Sequence, residues 1–363
     1  MIPLCIYLYF LIRRILKMFA SDNMVWLQRG VSGLLAVLIT APAYNLFGLW
    51  AALILHFAVI SAVVDIICFV IRSCVKKAGR KWPGIDFMWR SGILAAVMTL
   101  SVLAYAYVNM HHVVVTEYTV STKKDIRDEG YEIVFLSDLH FGTTMDQEQL
   151  SEYCDQIEEE EPDLVVLGGD IVDESASLQQ VREAFGTLGR IDSTYGVYYV
   201  YGNHDKGRYA KNCDFTEQQL SQTIRESGIG ILEDETVEIN GELSLSGRQD
   251  RSDARRSDRK RKSAARLLKD IPDSSFHILA DHQPRGMEKN EKAGYDLMLS
   301  GHTHAGQMWP VGLITTLFDK ETVNYGRESF GDMELIVSSG IAGWGYPLRT
   351  GKHCEFVVVH LKK

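Results

Sequence analysis

Five short polar motifs in the C-terminal two-thirds of the chain contain residues that commonly bind metal ions. In chain order they are 137–140 (SDLH), 168–170 (GGD), 202–205 (GNHD), 280–282 (ADH) and 301–304 (GHTH). Their donors are carboxylate, imidazole and amide groups without thiolate, a set that suits manganese, iron or zinc. Glycines beside the motifs allow the sharp turns that bring side chains close to an ion.

Each motif follows a segment that is predicted to be a β-strand. Apolar runs predict strands at 131–137, 163–167 and 196–201, with shorter strands near 236–246, 275–280, 295–299, 333–338 and 354–361. Apolar residues at helical spacing predict helices at 147–160, 178–188 and 215–227. Early β-α-β units followed by strand-rich sequence predict a layered α/β sandwich. Because ligands bind beyond the carboxyl ends of strands in such folds, the five motifs are expected to meet.

The combination of motifs is much more specific than any single one. An Asp-x-His sequence, a GNHD turn or a His-x-His pair each occurs in many proteins without a metal ion. The full ordered set resembles that of the calcineurin-like metallophosphoesterase family. The run at 301–307 (GHTHAGQ) is similar to the bacterial membrane-linked branch, whose members resemble YkuE-like phosphodiesterases or UDP-2,3-diacylglucosamine pyrophosphatase. The resemblance covers about residues 130–363.

The resemblance implies a fold, an activity and a cofactor. The fold is α/β, a layered α/β/β/α metallophosphoesterase sandwich, preceded here by an N-terminal helical transmembrane region. The activity is that of a metal-dependent phosphoric ester hydrolase with two divalent metal ions (Mn, Fe or Zn). Two ions ~3.5–4 Å apart can hold a bridging hydroxide and stabilise its in-line attack on a phosphoryl group. The motifs do not specify the substrate.

The resemblance also implies a role for individual residues. The ligands of one ion would be Asp138, His140 and His304. Those of the other ion would be Asn203, His282 and His302. Asp170 would bridge the two ions, since a carboxylate has two oxygens.

His204 would be the catalytic residue, which protonates the leaving oxygen or stabilises the charge that develops on the phosphoryl group. Asp205 either orients His204 or is an ordinary turn residue. Arg349, after a glycine-rich aromatic loop, either grips a phosphate or lies at the surface.

A basic segment departs from the expected family pattern. Residues 247–262 contain eight basic and three acidic residues. They form either a solvated loop or the start of a helix, or else a basic flap over the site or against anionic lipid headgroups.

The first 110 residues have the composition of a membrane region. They contain ten Lys and Arg residues and three Asp residues, whereas the remainder of the chain is strongly acidic. Apolar segments predict spans at about 30–44, 47–71 and 91–109, each near the ~20 residues needed to cross a bilayer. Residues 1–11 are a fourth span or an interfacial helix, and Asp65 is expected to face a neighbouring helix or the interface. The predicted organisation is a membrane region at 1–110 with three or four helical spans, a linker at 111–129 and a metallophosphoesterase domain at 130–363.

The positions of the basic residues predict the topology. Basic residues cluster at 13–29 and 72–90, and the hairpin at 43–47 carries no charge. Positive loops remain in the cytoplasm, so the last span is expected to exit outward. The protein would then lie in the cell membrane as a multi-pass protein, with its catalytic domain on the extracytoplasmic side.

These features predict a membrane-anchored dinuclear-metal phosphoesterase. It would hydrolyse a phosphodiester or pyrophosphate bond of an envelope lipid or nucleotide-linked metabolite. The alternative is a catalytically silent membrane sensor or binding protein that retains the metal site. A net charge of −9 argues against nucleic acid as a partner. The six cysteines have no regular spacing and are expected to be buried or free thiols.

Overall fold

The N-terminal and C-terminal parts of the chain form separate units. A computed structural model describes residues 1–19, 22–45, 48–256 and 260–363. These divide into Met1–Ala106 and Tyr107–Lys363. The described part of the first unit is helical, and all the described strands belong to the second unit.

Five helices account for most of the first unit. They are α1 (Ile2–Leu16), α2 (Val25–Thr40), α3 (Leu49–Lys77), α4 (Pro83–Ser91) and α5 (Ile93–Met110), the last of which continues into the second unit. Pro83 occupies the first turn of α4, where its missing N–H would have no intrahelical partner. Gly92 ends α4 with a φ of 68°, a left-handed conformation that glycine adopts without a steric penalty.

Three helical segments are long and apolar enough to cross a membrane. They are Val25–Tyr44, Leu49–Lys77 and Ile93–Met110, and the predicted spans overlap all three. Helix α1 has 15 residues, fewer than the ~20 that cross the hydrocarbon core. Asp65 on α3 accepts hydrogen bonds from Arg14 Nη1 (2.6 Å) and Tyr7 Oη (3.0 Å) of α1. The expectation that Asp65 faces a neighbouring helix is therefore confirmed.

Two six-stranded mixed sheets form the framework of the second unit. The strands are β1 (Val113–Ser121), β2 (Tyr131–Leu136), β3 (Leu164–Leu167), β4 (Val197–Tyr199), β5 (Gly230–Ile231), β6 (Glu235–Ile239), β7 (Leu243–Gly247), β8 (Phe276–Ala280), β9 (Leu297–Ser300), β10 (Gly326–Phe330), β11 (Met333–Val337) and β12 (Cys354–Lys362). The first sheet has the order β1-β12-β2-β3-β4-β5 and the second β10-β11-β9-β8-β7-β6. Strands β2 to β5 run parallel, as do β7, β8, β9 and β11.

Helices cover the outer faces of both sheets. The remaining helices are α6 (Gln147–Glu159), α7 (Leu178–Leu188), α8 (Glu217–Glu226), α9 (Arg251–Arg256), α10 (Ala264–Leu267), α11 (Met287–Glu291) and α12 (Val311–Phe318). Helices α6, α7 and α8 each begin with a capping box, in which a polar cap residue and a glutamine three positions later bond each other's backbone N–H. These caps explain why the three helices begin where they do.

Three apolar clusters hold the layers together. Along β2, Ile133 and Phe135 pack between the sheets, whereas Val134 and Leu136 pack with residues of α6 and α7. This alternation follows the two-residue period of a strand that is buried on both faces. A third cluster joins Leu279 and other outer residues of the second sheet to α10 and α11. The layered α/β/β/α prediction is confirmed.

Several strands differ from the sequence prediction. Residues 113–121, within the predicted linker at 111–129, form β1, which pairs in parallel with β12 along its whole length. Its residues alternate between half-buried and exposed, so the apolar signal of this edge strand is weak. The single strand predicted at 236–246 is the hairpin β6–β7, whose turn at Asn240 and Gly241 has positive φ at both residues. The predicted outer limits of the three domains stay a prediction.

Candidate metal centre

The five motifs lie on loops that leave the carboxyl ends of strands. Strands β2, β3 and β4 of the first sheet lead into the loops that carry Asp138, Asp170 and Asn203. Strands β8 and β9 of the second sheet lead into those that carry His282 and His302. The two parallel sets of strands therefore deliver donor groups from both sheets to one place.

Asp138, His140 and His304 form the first group of candidate ligands. All three are buried, and one donor atom of each lies within 4.8 Å of the others. His304 Nε2 is 3.6 Å from Asp138 Oδ1. The imidazole rings of His140 and His304 stack with their centroids 5.2 Å apart. One carboxylate and two imidazoles at these distances could share a single ion.

Asp170, His282 and His302 form the second group, also within 4.8 Å of one another. His282 Nδ1 lies 2.8 Å from the carbonyl oxygen of Gly168, so Nδ1 carries the proton and donates it there. This bond leaves His282 Nε2 directed at Asp170 Oδ2, 3.1 Å away. A histidine held by such a bond through one nitrogen presents the other nitrogen to a metal ion.

Asp170 lies between the two groups. Its Oδ2 is 3.1 Å from His282 Nε2 and 3.8 Å from His140 Nε2, which belong to different groups. Its Oδ1 accepts a hydrogen bond from the backbone N–H of His204 (2.8 Å). The Asp170 carboxylate therefore lies close to donor atoms of both groups.

Buried donor atoms without partners indicate whether the residues suit metal ions. His140 Nε2 and Asn203 Oδ1 are buried and have no hydrogen-bond partner in the part of the chain that the structure describes. Leaving such atoms unpaired costs free energy, which coordination of a cation would recover. The donor set of oxygen and imidazole nitrogen fits divalent Mn, Fe or Zn. All six cysteines are free thiols, and none belongs to either group.

The backbone at the candidate ligands adopts an unusual conformation. Five of them have positive φ, namely Asp138 (57°), His140 (42°), Asp170 (52°), His302 (72°) and His304 (48°). Non-glycine residues rarely adopt such angles, and those that do cluster at functional sites. The side chains of these loops thus converge on one place while the backbone adopts strained conformations.

Two motif glycines are required by close packing. A Cβ atom at Gly202 would overlap the carboxylate of Asp170, and one at Gly301 would overlap the carboxylate of Asp138. The glycines therefore allow the backbone to approach each carboxylate directly. The close approach at Gly301 also allows the backbone N–H of His302 to donate to both Asp138 oxygens, each at 3.0 Å.

Protonation of the histidines differs between their environments. Burial and the charge of neighbouring His282 lower the pKa of His302 to about 4. Burial, with a contribution from His140, also holds the pKa of His304 well below its usual value. Although burial opposes it, the Asp170 carboxylate raises the pKa of His282 well above its ordinary value. A metal ion at the second group would displace the Nε2 proton of His282. The lowered pKa values of His302 and His304 favour the neutral imidazole that a metal ion binds.

His204 stands beside this centre, with a carboxylate partner that the sequence did not reveal. Its Nδ1 is 2.9 Å from Glu174 Oε2, and both side chains are mostly buried. Burial lowers the pKa of His204, but the hydrogen bond with Glu174 and the charge of Asp170 outweigh it and raise the value to about 9. The rings of Tyr209 and Trp344 lie 4.8 and 5.5 Å from the His204 ring. His204 therefore lies beside two aromatic rings, in an environment that favours its protonated form.

Asp205 does not orient His204. Its carboxylate accepts hydrogen bonds from the backbone N–H groups of Gly202 (2.6 Å), Asp170 (2.7 Å) and Ile171 (2.8 Å). These hydrogen bonds connect the loop after β3 to the loop after β4. Of the two alternatives for Asp205, the structure therefore supports a turn residue. Burial and the charge of Asp170 raise its pKa to about 6.

Two further residues support the site without being predicted to do so. Asp173 Oδ2 lies 3.5 Å from His140 Nδ1 and so places a negative charge beside the imidazole. Arg349 is fully buried and donates to the carbonyl oxygens of His304 (3.2 Å), Ser339 (3.0 Å) and Ala342 (2.8 Å). Both readings of Arg349 are wrong, because it is neither at the surface nor free to grip a phosphate. Asp173 and Glu174 follow the GGD motif by three and four residues, which is the only signal that could have revealed them.

Comparison with known proteins identifies the family. Residues 131–306 match the family model described as calcineurin-like phosphoesterase. An uncharacterised metallophosphoesterase of Aquifex aeolicus is 30% identical over 260 residues, which cover 71% of this chain and 95% of the relative. The chain belongs to the calcineurin-like phosphoesterase family. The candidate ligands thus lie in the domain of a metal-dependent phosphoesterase.

Other members of the family extend beyond the matched region. An uncharacterised metallophosphoesterase of Helicobacter pylori is 31% identical over 226 residues, covering 62% of this chain and 58% of the relative. The chain therefore spans less than two-thirds of the length of that relative. A transmembrane protein with metallophosphoesterase domain from Danio rerio is 27% identical over 288 residues, covering 76% of this chain and 63% of the relative. The three apolar helices and this relative together suggest a membrane protein.

Proposed function

We propose that the chain is a membrane-anchored phosphoesterase that uses two divalent metal ions. The observation that carries the proposal is the position of Asp170, whose carboxylate contacts both groups of candidate ligands. Asp138, His140 and His304 would hold one ion, and Asn203, His282 and His302 the other. When bound, such a pair supplies a nucleophile from water at neutral pH and stabilises charge on a phosphoryl group.

The residues of the chain have separate tasks in this proposal. Asp170 and Asp138 are fixed by backbone N–H groups, so the ligand geometry is organised before an ion arrives. His204, protonated through its contact with Glu174, donates a proton to the oxygen that leaves the phosphorus. A sensor that only binds a ligand has no need for a proton donor beside the metal centre. The His204–Glu174 pair thus supports an enzyme over the silent alternative.

The substrate class and the side of the membrane are also proposals. We expect a phosphodiester or pyrophosphate, as part of an envelope lipid or a nucleotide-linked metabolite, because an apolar helical region would hold the domain near lipid. The basic segments at 13–29 and 72–90 support a cytoplasmic position for those segments and an extracytoplasmic catalytic domain.

A hydrolysis assay tests the proposed activity. The full-length protein with added manganese should hydrolyse bis(p-nitrophenyl) phosphate, and a chelator should abolish the reaction. Asp170→Ala should abolish it too, whereas Asp192→Ala removes a carboxylate outside both ligand groups and should leave the rate unchanged. Hydrolysis that persists in chelator, or in Asp170→Ala, would refute metal-dependent catalysis at this centre. Binding of manganese without hydrolysis of any phosphoester would favour the sensor.

A further inference from the structure

A strongly basic cavity lies in the second unit, apart from the candidate ligands. Its volume is about 410 Å³. It is bounded by the loop after β7, by α9, by residues 261–265 and by α11. Its cationic lining residues are Arg248, Arg251, Arg255, Arg261 and Lys289, and no lining residue is acidic. None of the seven candidate metal ligands lines it.

The positive charges of the cavity greatly exceed the negative charges that contact them. Asp281 is the carboxylate in contact, with its Oδ2 2.5 Å from Arg261 Nη2 and 3.6 Å from Arg248 Nη1. Arg251 instead donates to the carbonyl oxygen of Arg285 (2.8 Å). Within the described ranges, no ion pair involves Arg251, Arg255 or Lys289. Among the described residues, Asp281 is the carboxylate that forms ion pairs with these cations, while Asp234 and Asp250 act on Arg248 and Arg251 from a longer distance.

Two of the four arginines are also poorly solvated. The side chains of Arg248 and Arg261 are each only 10% exposed, so the segment is not a uniformly solvated loop. The Nε atoms of Arg248, Arg251 and Arg261 are buried without a hydrogen-bond partner among the residues that the structure describes. Burial, together with the neighbouring guanidinium groups, lowers the pKa of Arg248 and Arg251. Partly desolvated cations that repel one another raise the free energy of the empty cavity.

We propose that this cavity is a binding site for a phosphate group. A tetrahedral oxyanion would offset the repulsion and accept the unused N–H donors, and guanidinium groups match phosphate oxygens in two-point hydrogen bonds. The phosphate could belong to a soluble compound or to an anionic lipid headgroup, and the two share this chemistry. The site does not depend on hydrolysis at the metal centre, so either proposal can fail without the other.

Residue-resolved arginine modification tests the site in the full-length protein. The chain is placed in phosphatidylcholine nanodiscs with manganese and treated with phenylglyoxal, with and without inorganic phosphate. Peptide mass spectrometry then gives a modification rate for each arginine. We expect phosphate to slow modification of Arg251 and Arg255 about fivefold or more. Arg182, an exposed residue of α7, is the internal control and should react at the same rate throughout.

Two variants with the same change in charge sharpen the test. Lys289→Gln removes a cation from the cavity and should raise the phosphate concentration for half-protection by about 5- to 10-fold, the effect of losing one charge-assisted hydrogen bond. Lys269→Gln removes an exposed cation that does not line the cavity, and its half-protection should match that of the unaltered chain.

Nanodiscs of different lipid composition distinguish a soluble phosphate from a lipid headgroup. If a lipid headgroup occupies the cavity, nanodiscs that contain phosphatidylglycerol should protect Arg251 and Arg255 without added phosphate. If the ligand is soluble, both kinds of nanodisc should give the same unprotected rates until phosphate is added. Rates at Arg251 and Arg255 that change no more than the rate at Arg182, under every condition, would overturn the proposal.

Discussion

Replacing Glu174 with glutamine should change the pH dependence of turnover. The Glu174 carboxylate lies 2.9 Å from His204 Nδ1, and its hydrogen bond is the largest of the influences that raise the pKa of His204 to about 9. An opposite charge at such a distance typically shifts a pKa by about 1–3. Because Glu174 is about one-fifth exposed, we expect the lower end of this range. Glu174→Gln should therefore lower the pKa of His204 by about 1.

The sign of the effect follows from the proposed role of His204. A general acid must be protonated, so turnover should fall as the pH rises through the pKa of His204. In Glu174→Gln this fall should begin at a lower pH, and turnover on the alkaline side should drop by about tenfold. Bound divalent ions oppose protonation of His204 in both proteins. The difference between the two profiles is therefore the quantity to measure.

The assay compares turnover with phenyl and nitrophenyl phosphodiesters from pH 5 to pH 10. Glu183→Gln removes a carboxylate of α7 that accepts a hydrogen bond from Gln179, and it should reproduce the profile of the unaltered chain. Metal content is measured in parallel. An unchanged profile in Glu174→Gln would refute the claim that Glu174 controls the protonation of His204. A loss of metal equal to the loss of turnover would instead place Glu174 within the metal centre.

Three further predictions concern the acid, the bridge and the topology. His204→Ala should retain its metal ions but lose about 10²–10⁴-fold in turnover, most for esters with poor leaving groups, and equal losses on good and poor leaving groups would contradict a role as the acid. Asp170→Asn should lower the bound metal by more than one equivalent. A residue outside the ligand set typically costs only ~10–100-fold in metal affinity. Two tightly bound ions in that variant would disprove bridging. A periplasmic-type reporter fused after Lys363 should be active, whereas activity of only a cytoplasmic reporter would refute the extracytoplasmic placement.

Most of the strands that carry the site could be predicted from the sequence. Strands β2, β3 and β9 are short runs of mostly apolar, mostly buried residues, and a polar motif follows each of them. Such runs are visible because a strand between two packed layers is apolar on both faces. Edge strands lack this signal. Strand β1 contains Thr116, Glu117 and Thr119, and these polar residues make its apolar pattern too weak to predict a strand.

The supporting residues of the site could not be predicted in the same way. Glu174 and Asp173 are recognisable only from the distances of their carboxylates to His204 and His140. The charge of Arg349 suggests a surface or a ligand, yet backbone carbonyl groups satisfy it inside the domain. A motif fixes the type of its own residues, but the partners that orient them come from elsewhere in the fold. Part of the basic segment, residues 257–259, lies outside the described residues.

Anomalous X-ray diffraction from crystals grown with manganese tests the two-metal centre most directly. We expect two anomalous peaks, one among Asp138, His140 and His304 and the other among Asn203, His282 and His302. Each peak should lie roughly 2.0–2.3 Å from its donor atoms, and both should be within that distance of an Asp170 oxygen. A single peak, or peaks that Asp170 does not touch, would contradict the account.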